Sequence, residues 1–201
     1  MKLLMVSTDK KIFEQNSAVR ERMMEYARGV NKLMIVVLGR KQTEEKLGQL
    51  SIIGLSRPQA LFWQPGGSFD MVTSQDPFET GFIAWRLSKR LKAKLELQVH
   101  TDLGSLYFRY ESLLNRLRCL LASFLLPRAD VVRVVSQRIF DYLQKAKYKL
   151  KTAPIIRPIF VDTDKIKNTP ITVDLHQKYS QFEKIILMAS RLTKEKNICL
   201  A

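Results

Sequence analysis

"KLMIVVL", residues 32–38, decides the fold. After its lysine the run is apolar throughout and rich in branched residues. A strand with one face in water alternates apolar and polar side chains, so an unbroken apolar run points to a strand buried on both faces, as in a parallel sheet between helices. Comparable runs recur at 2–7, 50–55, 71–74, 95–99, 131–136, 154–157 and 185–189. Between them, 17–29, 77–92, 105–126 and 137–145 carry apolar residues at three- and four-residue spacing, the mark of amphipathic helices. Strands that alternate with helices predict a doubly wound α/β domain with a parallel sheet.

Such sheets take their ligands beyond the C-terminal ends of the strands. That rule selects residues 7–17, 74–79, 100–105 and 136–138 for inspection. The periodicity then breaks in "RPIFVDTDKIKNTP", residues 157–170, which holds two prolines and mixed charge and reads as a linker. A short helix over 173–182 would lead into the strand at 185–189, so the chain divides into a domain over 1–157, a linker with its helix over 158–183, and the opening of a second α/β domain over 184–201.

The 201 residues hold 34 Lys and Arg against 19 Asp and Glu, a formal charge of +15. The excess forecasts a polyanionic partner: nucleic acid, an anionic membrane surface or a phosphorylated substrate. With 46% hydrophobic and 26% charged residues, the basicity belongs to a folded chain and not to a disordered tail. No stretch approaches the ~18–20 apolar residues that span a bilayer. "MKLLMVSTDKK" lacks the apolar core and cleavage site of a signal peptide, which predicts a cytoplasmic protein. Cys119 and Cys199 lie in apolar stretches without ligand partners at metal spacing, and read as buried reduced thiols.

Several clusters carry candidate chemistry. In "SQDPFETG", residues 74–81, Asp76, Pro77 and Glu79 match an N-cap, N1 and N3, a capping box on the ligand edge. In "LQVHTDLGSLYFR", residues 97–109, His100 closes a buried strand, where an imidazole would face the crevice. "DTD", residues 162–164, lies in the linker, where Asp162 suits a turn better than a metal site. "SRLTKEKN", residues 190–197, sets Arg191 at a strand end and Lys196 where the next helix would begin. A guanidinium fork and an ammonium beside helix amides can clamp a diphosphate, although the spacing equally suits a solvated turn. The stretches 85–94 and 107–128 combine arginine and lysine with aromatic and apolar residues, a composition open to interfacial membrane binding as well as to core packing. Finger, zipper and RNA-recognition patterns are missing, so nucleic acid is not the expected partner.

Taken in order, "FDMVTSQDPFETG", "KLELQVHTD", "LLPRADVVRVVSQRI", "RPIFVDTDKI" and "KIILMASRLTKEKN" resemble the retaining GT-B glycosyltransferases of the glycosyltransferase 4 type. The resemblance implies a Rossmann-like doubly wound sheet, the N-terminal half of a GT-B fold, followed by the start of its donor-binding half. It implies that Arg191 and Lys196 bind the diphosphate of a nucleotide-sugar donor, and that His100 faces the acceptor and sugar pocket as the catalytic histidine. Gln15, Asn16 and Ser17 would line the donor side, Asp76 the acceptor side, and Ser136 would head a helix near the cleft. It implies no bound metal or other cofactor. The acceptor would be a glycan or a lipid-linked, membrane-proximal hydroxyl compound. The family's first loop usually carries glycines, yet none occurs before Gly29; Asn16 is the expected stand-in, since asparagine tolerates a left-handed backbone. The family's paired-glutamate motif is missing from these residues. The expectation is therefore an incomplete chain without efficient catalysis, whose gene continues past codon 201. The competing reading is a non-catalytic basic α/β module that binds a polyanion.

Overall fold

The computed structural model describes residues 1–40, 42–146, 148–190 and Ile198. It separates into two compact units, Met1–Pro158 and Ile159–Ala201. In the first, strands β1 (Lys2–Ser7), β2 (Lys32–Leu38), β3 (Thr43–Leu47), β4 (Leu50–Leu55), β5 (Met71–Ser74), β6 (Lys94–Val99), β7 (Val131–Val134) and β8 (Ile155–Ile156) form one sheet in the order β3-β4-β2-β1-β5-β6-β7-β8. Every pairing is parallel except the β3–β4 hairpin. This is a Rossmann-like α/β sheet. The chain moves outward from β1 through β2 to β4, then returns to β1's other side at β5, which places the topological switch point between β1 and β5.

Both faces of "KLMIVVL" are buried, as its pattern requires. Met34, Val36 and Leu38 join one core with Leu4, Val6, Val72 and Leu97, under helices α3 (Glu79–Leu91), α5 (Leu113–Leu125) and α6 (Gln137–Lys145). Leu33, Ile35 and Val37 join a second core with Met5, Leu50 and Ile52, beneath Met23 and Ala27 of α1 (Ala18–Arg28). The buried residues of that second core come from β1, β2, β4, α1 and the turn at 10–13, with Val30, and with Leu47 of β3, packed against them. The register continues the same face from Met5 to Thr73, Glu96 and Val131. Glu96, Gln98 and Arg133 are only half-buried there. The expectation of strands covered on both sides thus holds for the β1–β2–β4 half, whereas β6 alternates like a half-covered strand.

Other expectations shift for local reasons. The helix expected over 105–126 is two helices, α4 (Leu106–Glu111) and α5, because Ser112 leaves helical geometry and its Oγ caps α5 by accepting from Asn115 N–H at 3.1 Å. The strand expected to reach Ser136 ends at Val134, since Ser136 is spent as the cap of α6. Helix α2 (Arg57–Phe62), not foreseen, begins with a capping box between Ser56 and Gln59. In the second unit, α7 (Thr163–Lys167) lies inside the expected linker, and the helix expected over 173–182 shortens to α8 (Leu175–Lys178), capped by Asp174. The strand expected at 185–189 is not formed. A parallel strand exists through its ladder bonds, and none of the described residues pairs with it; Ile186 and Leu187 are exposed.

Helix α3 ends at Lys92 with φ 53°, the one described non-glycine residue with positive φ. The left-handed region crowds a Cβ, so Lys92→Gly is expected to stabilise the unit by about 0.5–1 kcal/mol. A thermal melt checks this: an unchanged or lower Tm contradicts it.

Candidate functional site

At the switch point the ends of β1 and β5 are joined by side chains. Ser7 Oγ donates to Gln75 Oε1 at 2.8 Å and accepts from Asp9 N–H at 3.0 Å. Beside it, Ser74 Oγ donates to the Asp76 carbonyl at 2.6 Å, and Thr80 Oγ1 donates to the same oxygen at 3.4 Å. Ser7, Ser74 and Thr80 are buried, so the loop is held from beneath. Asp76 is not the cap of α3. Phe78 occupies that position without a side-chain bond, while Asp76 Oδ1 accepts from Phe78 N–H at 2.8 Å in a tight turn two residues earlier. The helix starts late because the Asp76 carbonyl is already taken by two hydroxyls. Gly81 is required behind it: a Cβ there would lie 2.7 Å from that carbonyl.

Burial raises the pKa of Asp76 above the carboxylate value of 3.8, against the pull of the Phe78 amide, the Thr80 hydroxyl and the Arg118 guanidinium. A carboxyl held back from ionising on a ligand edge is a common functional feature.

One strand over, Gln98 Nε2 donates to Thr73 Oγ1 at 3.2 Å, and Gln98 Oε1 lies 3.3 Å from His100 Nε2. His100 thus stands exposed just beyond β6, at the end of a polar chain rooted on the buried Thr73. Partial burial lowers its pKa below 6.5, the positive charge of Arg133 lowers it further, and Asp76 opposes both. The folded state therefore favours the neutral ring, and the stability it costs appears as pH falls through 6.5, where the unfolded chain takes the proton more readily. By NMR, the His100 ring is expected to titrate below 6.5. Arg133→Met should raise the midpoint, and Asp76→Asn should lower it; equal midpoints in all three proteins contradict this arrangement.

The loop after His100 is fixed against α6. Asp102 Oδ1 accepts from Gly104 N–H at 2.9 Å, and Asp102 Oδ2 pairs with Arg138 Nε at 2.8 Å. A Cβ on Gly104 would lie 2.4 Å from the Tyr142 ring, so only glycine permits this approach. Ser136 caps α6, its Oγ accepting from Ile139 N–H at 3.4 Å.

Asp76, His100 and Ser136 of the expected site therefore share the C-terminal edge of β5, β6 and β7. Gln15 and Asn16 lie exposed in the turn before α1. Asn16 does not take the left-handed backbone expected of it, since its φ is not positive; the turn closes instead through Ser17 N–H to the Glu14 carbonyl at 3.2 Å. Ser17 caps α1 by accepting from Arg20 N–H at 3.1 Å and donates to the Lys11 carbonyl at 2.6 Å, so its hydroxyl is already occupied. Arg191 and Lys196 lie outside the described residues. Sequence reasoning selected the stretches that hold Ser7 and Gln75 without singling either residue out, and it missed Thr73, Gln98 and Arg133. The signal was present for three of them, as polar residues at alternate positions of β5, β6 and β7. The Arg133 Nε is buried and finds no hydrogen-bond partner among the described residues. Two strands from the switch point, a groove of about 440 Å³ on the same edge is walled by Gln42, Leu55, Pro58, Gln59, Phe62 and Trp63.

Fold and edge together define a Rossmann-like α/β protein with a polar, partly titratable cluster where such sheets take ligands. The chain matches no protein-family model, and no curated protein matches it in sequence.

Proposed function

We propose that this protein takes part in retaining glycosyl transfer, with the edge formed by Asp76, His100 and Ser136 facing a hydroxyl acceptor, and Arg191 and Lys196 holding the diphosphate of a nucleotide-sugar donor. The acceptor is a lipid-linked or membrane-proximal glycan at the cytoplasmic face of a membrane, and no metal takes part. One observation supports the reading above the rest. The histidine that the resemblance assigns to catalysis stands at a C-terminal strand end, 3.3 Å from Gln98 Oε1, its pKa lowered by partial burial, within the field of a carboxyl of raised pKa.

In the reaction the bond from the anomeric carbon to the donor phosphate breaks as the acceptor oxygen attacks from the same face, and the acceptor hydroxyl's proton passes to the departing phosphate oxygen. Negative charge grows on the departing diphosphate, and two fixed cations there would stabilise the transition state more than the ground state. A neutral imidazole can accept or donate a hydrogen bond to a sugar hydroxyl without competing for the phosphate. The reading is tested with protein expressed from the whole reading frame, a panel of nucleotide-sugars and a membrane lipid extract. Nucleotide release that requires both donor and extract is expected. Release from no donor, with retained binding to nucleic acid, favours the polyanion-binding module.

A further inference from the structure

Helix α5 is inside out. Of the four residues it buries, Asn115, Cys119 and Ala122 are small or polar and only Leu125 is large and apolar, while Leu113, Leu117 and Leu120 form a stripe to solvent that runs on to the partly exposed Phe124, at spacings of four, three and four. Leu113, Leu117 and Leu120 are 74%, 61% and 67% exposed. An ordinary surface helix shows the reverse order. Helix α3 does follow that order: Ile83, Ala84 and Leu87 are buried, and Lys89 and Arg90 are exposed, so its basic stretch is a solvated face. The patch continues onto α4, where Leu106, Tyr107 and Tyr110 are exposed. Contiguous apolar surface of this kind marks a docking face.

The charge around the patch selects the occupant. Residues 103–128 carry four arginines and one glutamate. Two arginines lie at the margin of the stripe with their guanidinium groups over its rings, Arg116 at 5.2 Å from the Tyr110 centroid and Arg128 at 3.6 Å from that of Phe124. Arginine and tyrosine bordering exposed leucine match the layering of a bilayer surface, where apolar groups enter the acyl boundary and cations meet anionic headgroups. A second copy of the chain fits poorly, because two such faces would bring these arginines together with only Glu111 to meet them.

We infer that the α4–α5 face inserts into an anionic lipid bilayer, with the leucine stripe in the acyl boundary and Arg116 and Arg128 at the headgroups. The inference stands on this surface and not on sugar transfer. No described helix is long and apolar enough to cross a membrane, so the attachment is lateral.

Flotation of the 201-residue chain tests it, with vesicles of phosphatidylcholine alone or with about one-third phosphatidylglycerol. The chain is expected to float with the anionic vesicles and to stay behind with the neutral ones. Leu117→Gln with Leu120→Gln should weaken anionic binding about tenfold or more. Both sites are exposed, so an unchanged circular-dichroism melt is expected. As a second readout, Leu120→Trp should give emission that shifts to the blue on anionic vesicles. Equal flotation of parent and double variant, equal flotation with both vesicle types, or no flotation at all overturns the inference. So does self-association in the absence of lipid that the double variant abolishes, which would make the face a contact between copies.

Discussion

Leu97→Ala is expected to cost about 2–5 kcal/mol of stability, lowering the Tm of the first unit by about 4–20 °C at roughly 2–4 °C per kcal/mol for a domain of this size. Leu97 is fully buried in β6, between β5 and β7. Its Cδ2 lies 3.5 Å from where a Cβ on Gly81 would sit, so it packs against the first turn of α3. Truncation leaves a cavity that neither a sheet strand nor a glycine-tight helix contact can close by shifting. Because Gln98 follows directly and orients His100, the same variant should also broaden the His100 ring signals. A Tm within about 2 °C of the parent would contradict this packing account.

His100→Ala is the second large effect, and it should leave the Tm unchanged. The ring is exposed and, among the described residues, its one hydrogen-bond contact is the 3.3 Å approach to Gln98, so little of the fold depends on it. In transfer catalysed by protein from the whole reading frame, kcat/KM is expected to fall about 10²-fold or more, the usual scale for a positioned imidazole. Ser136→Ala makes the contrast. Losing the α6 cap should cost about 1 kcal/mol of stability, with a smaller effect on transfer. If His100→Ala stays within twofold of the parent while Ser136→Ala does not, the edge works through helix placement and not through the imidazole.

The sheet was legible because its central strands are buried on both faces. Residues 2–7, 32–38, 50–55 and 71–74 come out at the expected limits, 32–38 most plainly, since nothing but burial explains its six apolar residues in sequence. Strand β3, "TEEKL", gave no such signal. It is an edge strand with Glu44 and Lys46 outward and Glu45 paired to the buried Arg20 at 2.8 Å, and it exists through its pairing with β4 across a turn at Gly48, φ 58°. The capping box was anticipated at the wrong helix: Ser56 and Gln59 fit the pattern as well as Asp76 and Glu79, and the nearby hydroxyls of Ser74 and Thr80, bonded to the Asp76 carbonyl, decide against the second.

The site was legible by position more than by motif. His100 and Ser136 follow from the rule that ligands gather at strand ends. The supporting set of Ser7, Gln75, Thr73 and Gln98 depends on which strands are neighbours, and the order β1-β5-β6 cannot be read from a linear chain. The inverted helix was half visible. Residues 107–128 showed basic and apolar groups together, but the break at Ser112, which sets the phase of α5, places the leucines outward.

The most direct measurement of the central claim is the anomeric configuration of the product. With protein from the whole reading frame, the donor that releases nucleotide is supplied with membrane lipid acceptor, and the new glycosidic linkage is read by NMR. Retention of the donor's configuration, lost along with turnover in His100→Ala, is the predicted result. An inverted linkage, or transfer indifferent to His100, would contradict it.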